Sequence, residues 1–212
     1  MKPYKLNVKA IIGIVGLLSL LIFSLVLVLF GEAELHNIGE TLLHYGYIIA
    51  PVSILWYLLD HYLWHTALFQ SIHKTLNIPP DLRGRWEGVL ENADGSKPQK
   101  FVIEVKQTLS SIKVHSFSSV GHSSSILTEI ASDGHEEHFM VGYLWQGEIN
   151  TSIKDMHQGN VFYGYTMLYL HKDDLDSAKM LNGTYFTNLK PVQTRGGIEL
   201  KWVSLKLKRK FE

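Results

Sequence analysis

Apolar residues are distributed unevenly along the chain. Residues 10–30 and 41–59 are two runs without a charged side chain, whereas beyond Asp81 apolar positions recur at period two in short segments parted by polar clusters. At about 1.5 Å rise per residue, the first run is long enough to cross a hydrocarbon core of about 30 Å. The second carries Pro51 but is also long enough, with Tyr45, Tyr47, Trp56, Tyr57, Tyr62 and Trp64 clustered toward its ends, where amphipathic rings favour the interface. The pattern predicts two transmembrane helices, at 10–30 and 41–59. An interfacial helix over 60–78 then stops at Pro79 and Pro80. The expected domains are therefore 1–80, a membrane hairpin with its linker, and 81–212.

The second domain reads as strands. Eight segments rich in Val, Ile, Tyr, Phe and Thr are expected at about 84–91, 100–109, 111–118, 125–131, 138–146, 160–170, 181–187 and 198–207, with "NADGSKP", "SVGHSS", "SDGHEE", "NTSIKDMHQG" and "TRGG" among the turns. Short links favour an up-and-down antiparallel meander, and closing it into a barrel removes exposed edges. An open sandwich is the structural alternative. At eight strands a barrel interior is filled by side chains or holds one small ligand.

Alternation then assigns faces. In "LRGRWEGVL", Gly84, Trp86, Gly88 and Leu90 share one side of a strand, and Arg83, Arg85 and Glu87 the other. Phe101, Ile103, Val105, Gln107 and Leu109 form an apolar set expected inside. In 160–170 the set Val161, Tyr163, Tyr165, Met167 and Tyr169 presents a column of phenol rings, which can stack on bases or simply wedge the barrel.

Charge and cysteine content narrow the partners. Lys plus Arg and Asp plus Glu stand at 20 each, so no overall basic field exists to gather long nucleic acid. Without cysteine there is no disulfide and no thiolate chemistry. Lys2, Lys5 and Lys9 precede the first run, and the connection to the second holds Glu32, Glu34 and Glu40. The positive-inside bias places the N-terminus and the barrel in the cytoplasm. A cleaved secretory signal, the competing reading of the first run, has an apolar core of only roughly 7 to 15 residues. Gly46 and Ala50 form a small-xxx-small pair in the second run, of the kind that lets helices approach closely in lipid.

Catalytic and metal patterns fail one by one. "HYLWH" spaces His61 and His65 one helical turn apart but has Tyr62 where a zinc hydrolase needs its Glu. "HEEH" at 135–138 has no second cluster to complete a site. Ser123 to Ser125 lack the strand, elbow and helix setting of a nucleophile, and no phosphate-binding glycine loop is present. No enzyme, metal or cofactor is expected.

Two spans, an acidic outer connection, a Pro-Pro boundary and an eight-strand barrel opening on "LRGRWEG", with "LNGTYFTN" and "RGGIELKW" near its close, resemble the two-transmembrane, β-barrel effectors of bacterial cyclic-oligonucleotide-based antiphage signalling (CBASS). The resemblance implies a membrane-anchored all-β protein with a lipocalin-like barrel. It implies binding of a cyclic dinucleotide in that barrel, homo-oligomerisation in the bilayer on activation, and disruption of the bacterial inner membrane. A ligand with two bases and two phosphates calls for rings and cations. Trp86, Trp145, Tyr163 and Tyr185 are the candidate rings, and Arg83 and Arg195 the candidate phosphate partners. Arg195 is expected in a mobile closing loop beside Gly196 and Gly197. Thr108 could add a hydroxyl, and Gly46 and Ala50 would pack the helices. The same Gly84-x-Trp86 opening also suits a membrane-tethered carrier or sensor of a small apolar ligand.

Overall fold

The computed structural model describes residues 2–3, 8–30, 49–66, 69, 79–132, 138–149, 161–171, 180–188 and 193–211. They fall into two compact units, one of residues 1–4, 80–107 and 111–212, the other of 5–79 with 108–110.

The first unit is a closed barrel. Its strands are β2 (Gly84–Asn92), β3 (Gln99–Gln107), β4 (Ile112–Ser118), β5 (Gly121–Ser132), β6 (His138–Ile149), β7 (Val161–His171), β8 (Met180–Thr187) and β9 (Arg195–Ser204), with a two-residue β1 (Lys2–Pro3) laid against the end of β5. Each long strand pairs antiparallel with the next, and β9 returns to β2, so the meander closes and the sandwich alternative falls. Every strand expected from the period-two pattern is present.

The differences are local. "SVGHSS" is not all turn, because Gly121 to Ser125 already belong to β5; Ser123 pairs with Gly147 and Ser125 with Trp145. Ile126 is bulged between Ser125 and Leu127, and there the Ser125 hydroxyl accepts the Val114 N–H at 3.0 Å in place of a ladder bond. Arg195, Gly196 and Gly197 are not a loop but the start of β9, paired with β8 and, at the two glycines, with β2. The last strand ends at Ser204 rather than at Leu207.

The opening stretch behaves as its alternation predicts. Gly84 has φ +116°, and a Cβ there would stand 2.4 Å from the Ser204 carbonyl oxygen, so only glycine fits between β2 and β9. Trp86 is fully buried, with its indole N–H donating to the Leu82 carbonyl at 2.9 Å. Leu82, Trp86, Ile103, Val105, Val114, Leu168, Leu170, Leu181 and Leu200 fill the half of the barrel around the start of β2. The Gln107 side chain fastens the entering chain there, accepting the Leu82 N–H at 2.8 Å and donating to the Pro80 carbonyl at 3.0 Å.

Outside the barrel, residues 205–211 are held against β2 and β3 by a buried ion pair. Arg85 donates to Glu104 at 2.9 Å, to Glu87 at 2.6 Å, and to the carbonyls of Lys210 and Phe211 at 2.8 Å each. Glu104 in turn accepts the backbone N–H groups of Lys208 and Arg209. Burial alone would lower the Arg85 pKa; its bonds to the two carboxylates more than offset this, and the guanidinium stays charged.

In the second unit α1 (Val8–Phe30) is helical over 23 residues. Residues 49–58 are helical and pass into a π turn, Leu59–Leu63. Asp60 in that turn accepts the Leu109 N–H with its carbonyl at 3.0 Å and the Ser110 N–H with its carboxylate at 2.8 Å. Over the described residues no helix is long and apolar enough to cross a membrane. The backbone helix of α1 nonetheless covers the first apolar run, with only part of its side chains among those described. Ala50, exposed, is the second described residue of the second run, after Ile49; Gly46 and the rest of 41–48 lie outside the described residues.

Candidate ligand-binding site

The barrel is packed at the end where the chain enters and hollow at the other. The cavity, about 220 Å³, opens between the last residues of β2, β4, β6 and β8 and the first residues of β3, β5, β7 and β9. Its walls follow from alternation. Trp145 faces Gly164 across β6 and β7, and Gly147 faces Phe162, so each ring lies over the glycine of its partner pair. The Trp145 and Phe162 rings meet edge to face, with centroids 5.5 Å apart. The Trp145 indole N–H donates to the Thr166 hydroxyl at 2.9 Å, which fixes the ring plane. Tyr143, fully enclosed below, has its phenol pushed well above the usual value by burial and remains neutral.

The upper wall is a ring of uncharged polar groups. The Tyr185 hydroxyl donates to the Asn92 side-chain oxygen, and the Asn92 amide donates to Ser96 at 2.7 Å, so the orientation of that amide is set from both sides. Burial, then the charge of Asp94, raises the Tyr185 pKa and keeps this phenol a donor. Thr187 and Thr194 share a hydrogen bond of 2.8 Å across the β8–β9 connection. Ser116 on β4 and Ser123 on β5 bond hydroxyl to hydroxyl, both buried. Two hydroxyls joined by one bond retain one unspent proton, so the pair offers a donor to the cavity. Gln99 and Ser118 complete the rim. Among the described residues no Lys, Arg, Asp or Glu lines this space, and His122 is the one histidine that does.

Of the candidate residues, Trp145 and Tyr185 line the cavity. Trp86 belongs to the packed plug beneath, with no surface left for a ligand. Tyr163 lies on the outer surface, 44% exposed, because the inward set on β7 is Phe162, Gly164, Thr166, Leu168 and Leu170; the phenol column faces away from the cavity. Arg83 precedes β2 at the plugged end and is clasped by Asp81 through bonds of 2.9 and 2.8 Å. Thr108 follows the last residue of β3, at the end of that strand opposite to Gln99. Arg195 is exposed beside Thr194, with its carbonyl accepting the Ala93 N–H at 2.8 Å, and its side chain does not line the cavity. Asn92, Ser116, Ser123, Phe162 and Thr166 were not anticipated. Period-two spacing of Gly121, Ser123 and Ser125 was the available signal for the serines.

Residues 77–202, more than half of the chain, match the family model described as Cap15, cyclic dinucleotide receptor domain. No curated protein matches the chain.

Proposed function

The chain belongs to the Cap15 cyclic dinucleotide receptor family, and from that premise we propose that it is an antiphage effector whose barrel cavity binds a cyclic dinucleotide. One observation carries the placement of the ligand: the open end of the matched domain holds an uncharged cavity with aromatic walls and a rim of hydroxyl and amide groups. Rings accept a base by stacking, and the rim can read its polar edge. The cavity of about 220 Å³ is smaller than the roughly 300 to 1,000 Å³ of ordinary ligand sites, so a two-base ligand is not swallowed whole. One base enters, and the phosphodiester ring stays at the mouth.

The apolar runs at 10–30 and 41–59 support an anchor in the inner membrane, with the barrel on the cytoplasmic side. Two helices cannot enclose a sizeable pore. Disruption therefore requires several copies, and the ligand drives assembly by binding the assembled form more tightly. Packing at Ala50 and Gly46 would bring the helices together.

The uncharged lining also suits the second reading, a tethered carrier of a small apolar ligand. Calorimetric titration of the detergent-solubilised full chain with a panel of cyclic dinucleotides separates the two. Saturable binding that Trp145→Ala weakens supports the receptor reading. No heat with any member of the panel, together with a co-purified lipid, overturns it.

A further inference from the structure

The plugged end of the barrel carries a cationic face that ligand binding in the cavity does not use. Lys106 on β3 and Lys113 on β4 are directly opposed, both exposed, although like charges in that position work against strand pairing. Arg209 stands beside them with φ 59°, a left-handed backbone rare outside glycine, and its N–H is caught by the Glu104 carboxylate at 3.1 Å. His115 lies among all three. Burial first, and then the charges of Lys113, Lys106 and Arg209, hold its imidazole below the usual range, while Glu104 opposes them. Lys208 and Lys210 flank Arg209, both exposed. The nearby carboxylates are already engaged, since Glu87 and Glu104 are both bonded to Arg85. Among the described residues the ion pairs do not include Lys106, Lys113 or Arg209. Two locally unfavourable features thus coincide where cations crowd.

Its position and neighbours indicate the partner. Lys106 adjoins Gln107, the residue that fastens the chain as it enters β2, so the face lies at the entry end of the barrel. Trp202, Val203 and Leu205 are exposed at that same end, 37%, 50% and 61%. Cations and exposed apolar groups, an indole among them, at one end of the barrel suit a lipid–water interface better than a nucleic acid, whose backbone asks for charge without oil. We propose that Lys106, Lys113 and Arg209 form a contact for anionic phospholipid headgroups, which turns the cavity mouth away from the bilayer. This rests on the membrane anchoring proposed above only for its orientation.

The test uses the full chain in phosphatidylcholine vesicles, with and without added phosphatidylglycerol. Hydrogen exchange over 106–113 should slow several-fold when phosphatidylglycerol is present and recover at high salt. The triple variant Lys106→Glu, Lys113→Glu, Arg209→Glu should lose that difference, whereas Lys97→Glu, in the turn after β2, should keep it. Each cation near an anionic surface is worth roughly fivefold in partitioning, so the three together should weaken cosedimentation with added phosphatidylglycerol vesicles by about a hundredfold. Equal exchange in both lipids overturns the proposal, as does equal protection by a short single-stranded RNA. Extraction of the chain from phosphatidylcholine by alkaline carbonate counts against the anchor alone, and the cosedimentation arm still decides the face.

Discussion

Trp145 and Gly164 face each other across β6 and β7, and the indole occupies the space that any larger residue at 164 would need. A Cβ on Gly164 would stand 2.2 Å from the ring and 2.6 Å from the Phe186 carbonyl oxygen. Gly164→Val must therefore displace the ring, the backbone or both. Overpacking of this kind costs about 1 to 3 kcal/mol. The variant should melt several degrees lower and lose most of its cyclic dinucleotide affinity. Unchanged melting and affinity would show that the wall yields freely.

Rings on opposite sides of the wall should behave differently. A base stacked on an aromatic ring is worth about 1 to 3 kcal/mol, so Trp145→Ala should weaken binding roughly 5- to 150-fold. Tyr163→Ala removes a ring from the outer surface and should leave affinity within about twofold. Equal losses in calorimetry would put the ligand outside the barrel.

The hydroxyl pair Ser116 and Ser123 makes a non-additive prediction. Either single Ala variant leaves a buried partner unsatisfied and should cost about 1 to 3 kcal/mol. The double variant strands nothing and should be more stable than the sum of the singles implies. Additive denaturation midpoints would mean that the hydroxyls act separately. The double variant should also bind ligand more weakly, because the donor has gone.

Glu104→Gln breaks the pair that holds residues 205–211. Leaving Arg85 buried without its full complement of charge should cost on the order of 3 to 5 kcal/mol. Trypsin should then cut at Lys206, Lys208, Arg209 or Lys210 before the barrel strands are touched. Resistance equal to that of the unaltered chain would mean that apolar packing alone holds the segment.

Acid should loosen the same region. The bond from Arg85 holds the Glu87 carboxyl below its usual 4.5, so the stabilisation it gives is complete above that pH and disappears as pH falls through the lower folded value. Glu87→Gln should flatten this part of the stability profile below about pH 4.5, with little change in its slope at neutrality. An unchanged acid limb in pH-dependent melting would assign the loss to other carboxylates.

The strands were legible because apolar and polar letters alternate clearly along β2 and β3, where Trp86 and Ile103 point inward and Glu87 and Glu104 outward. β7 gave no such contrast. Val161, Tyr163 and Met167 are as apolar as Phe162 and Leu168, and the choice of face depended on Gly164 meeting Trp145 from another strand. Local letters could have discounted Arg83, whose partner Asp81 stands two residues earlier. For the hydroxyls of the cavity wall the sequence held one faint signal, the period-two spacing of Gly121, Ser123 and Ser125; Ser116, Thr166, Thr187 and Thr194 carried none, since such residues look the same in a turn and in a wall.

The seam between β2 and β9 also sets a timetable. Every other junction among the eight long strands joins chain neighbours and can form as soon as both have been made, but Gly88 must wait for Leu200, more than a hundred residues later in synthesis. At about 5 to 20 residues per second, the receptor stays open-sided for several seconds after its first strand appears. Residues 10–30 and 41–59 are complete well before that. A translating ribosome thus yields the candidate anchor long before the candidate sensor. A chain stalled short of residue 195 would carry both apolar runs but no closed barrel.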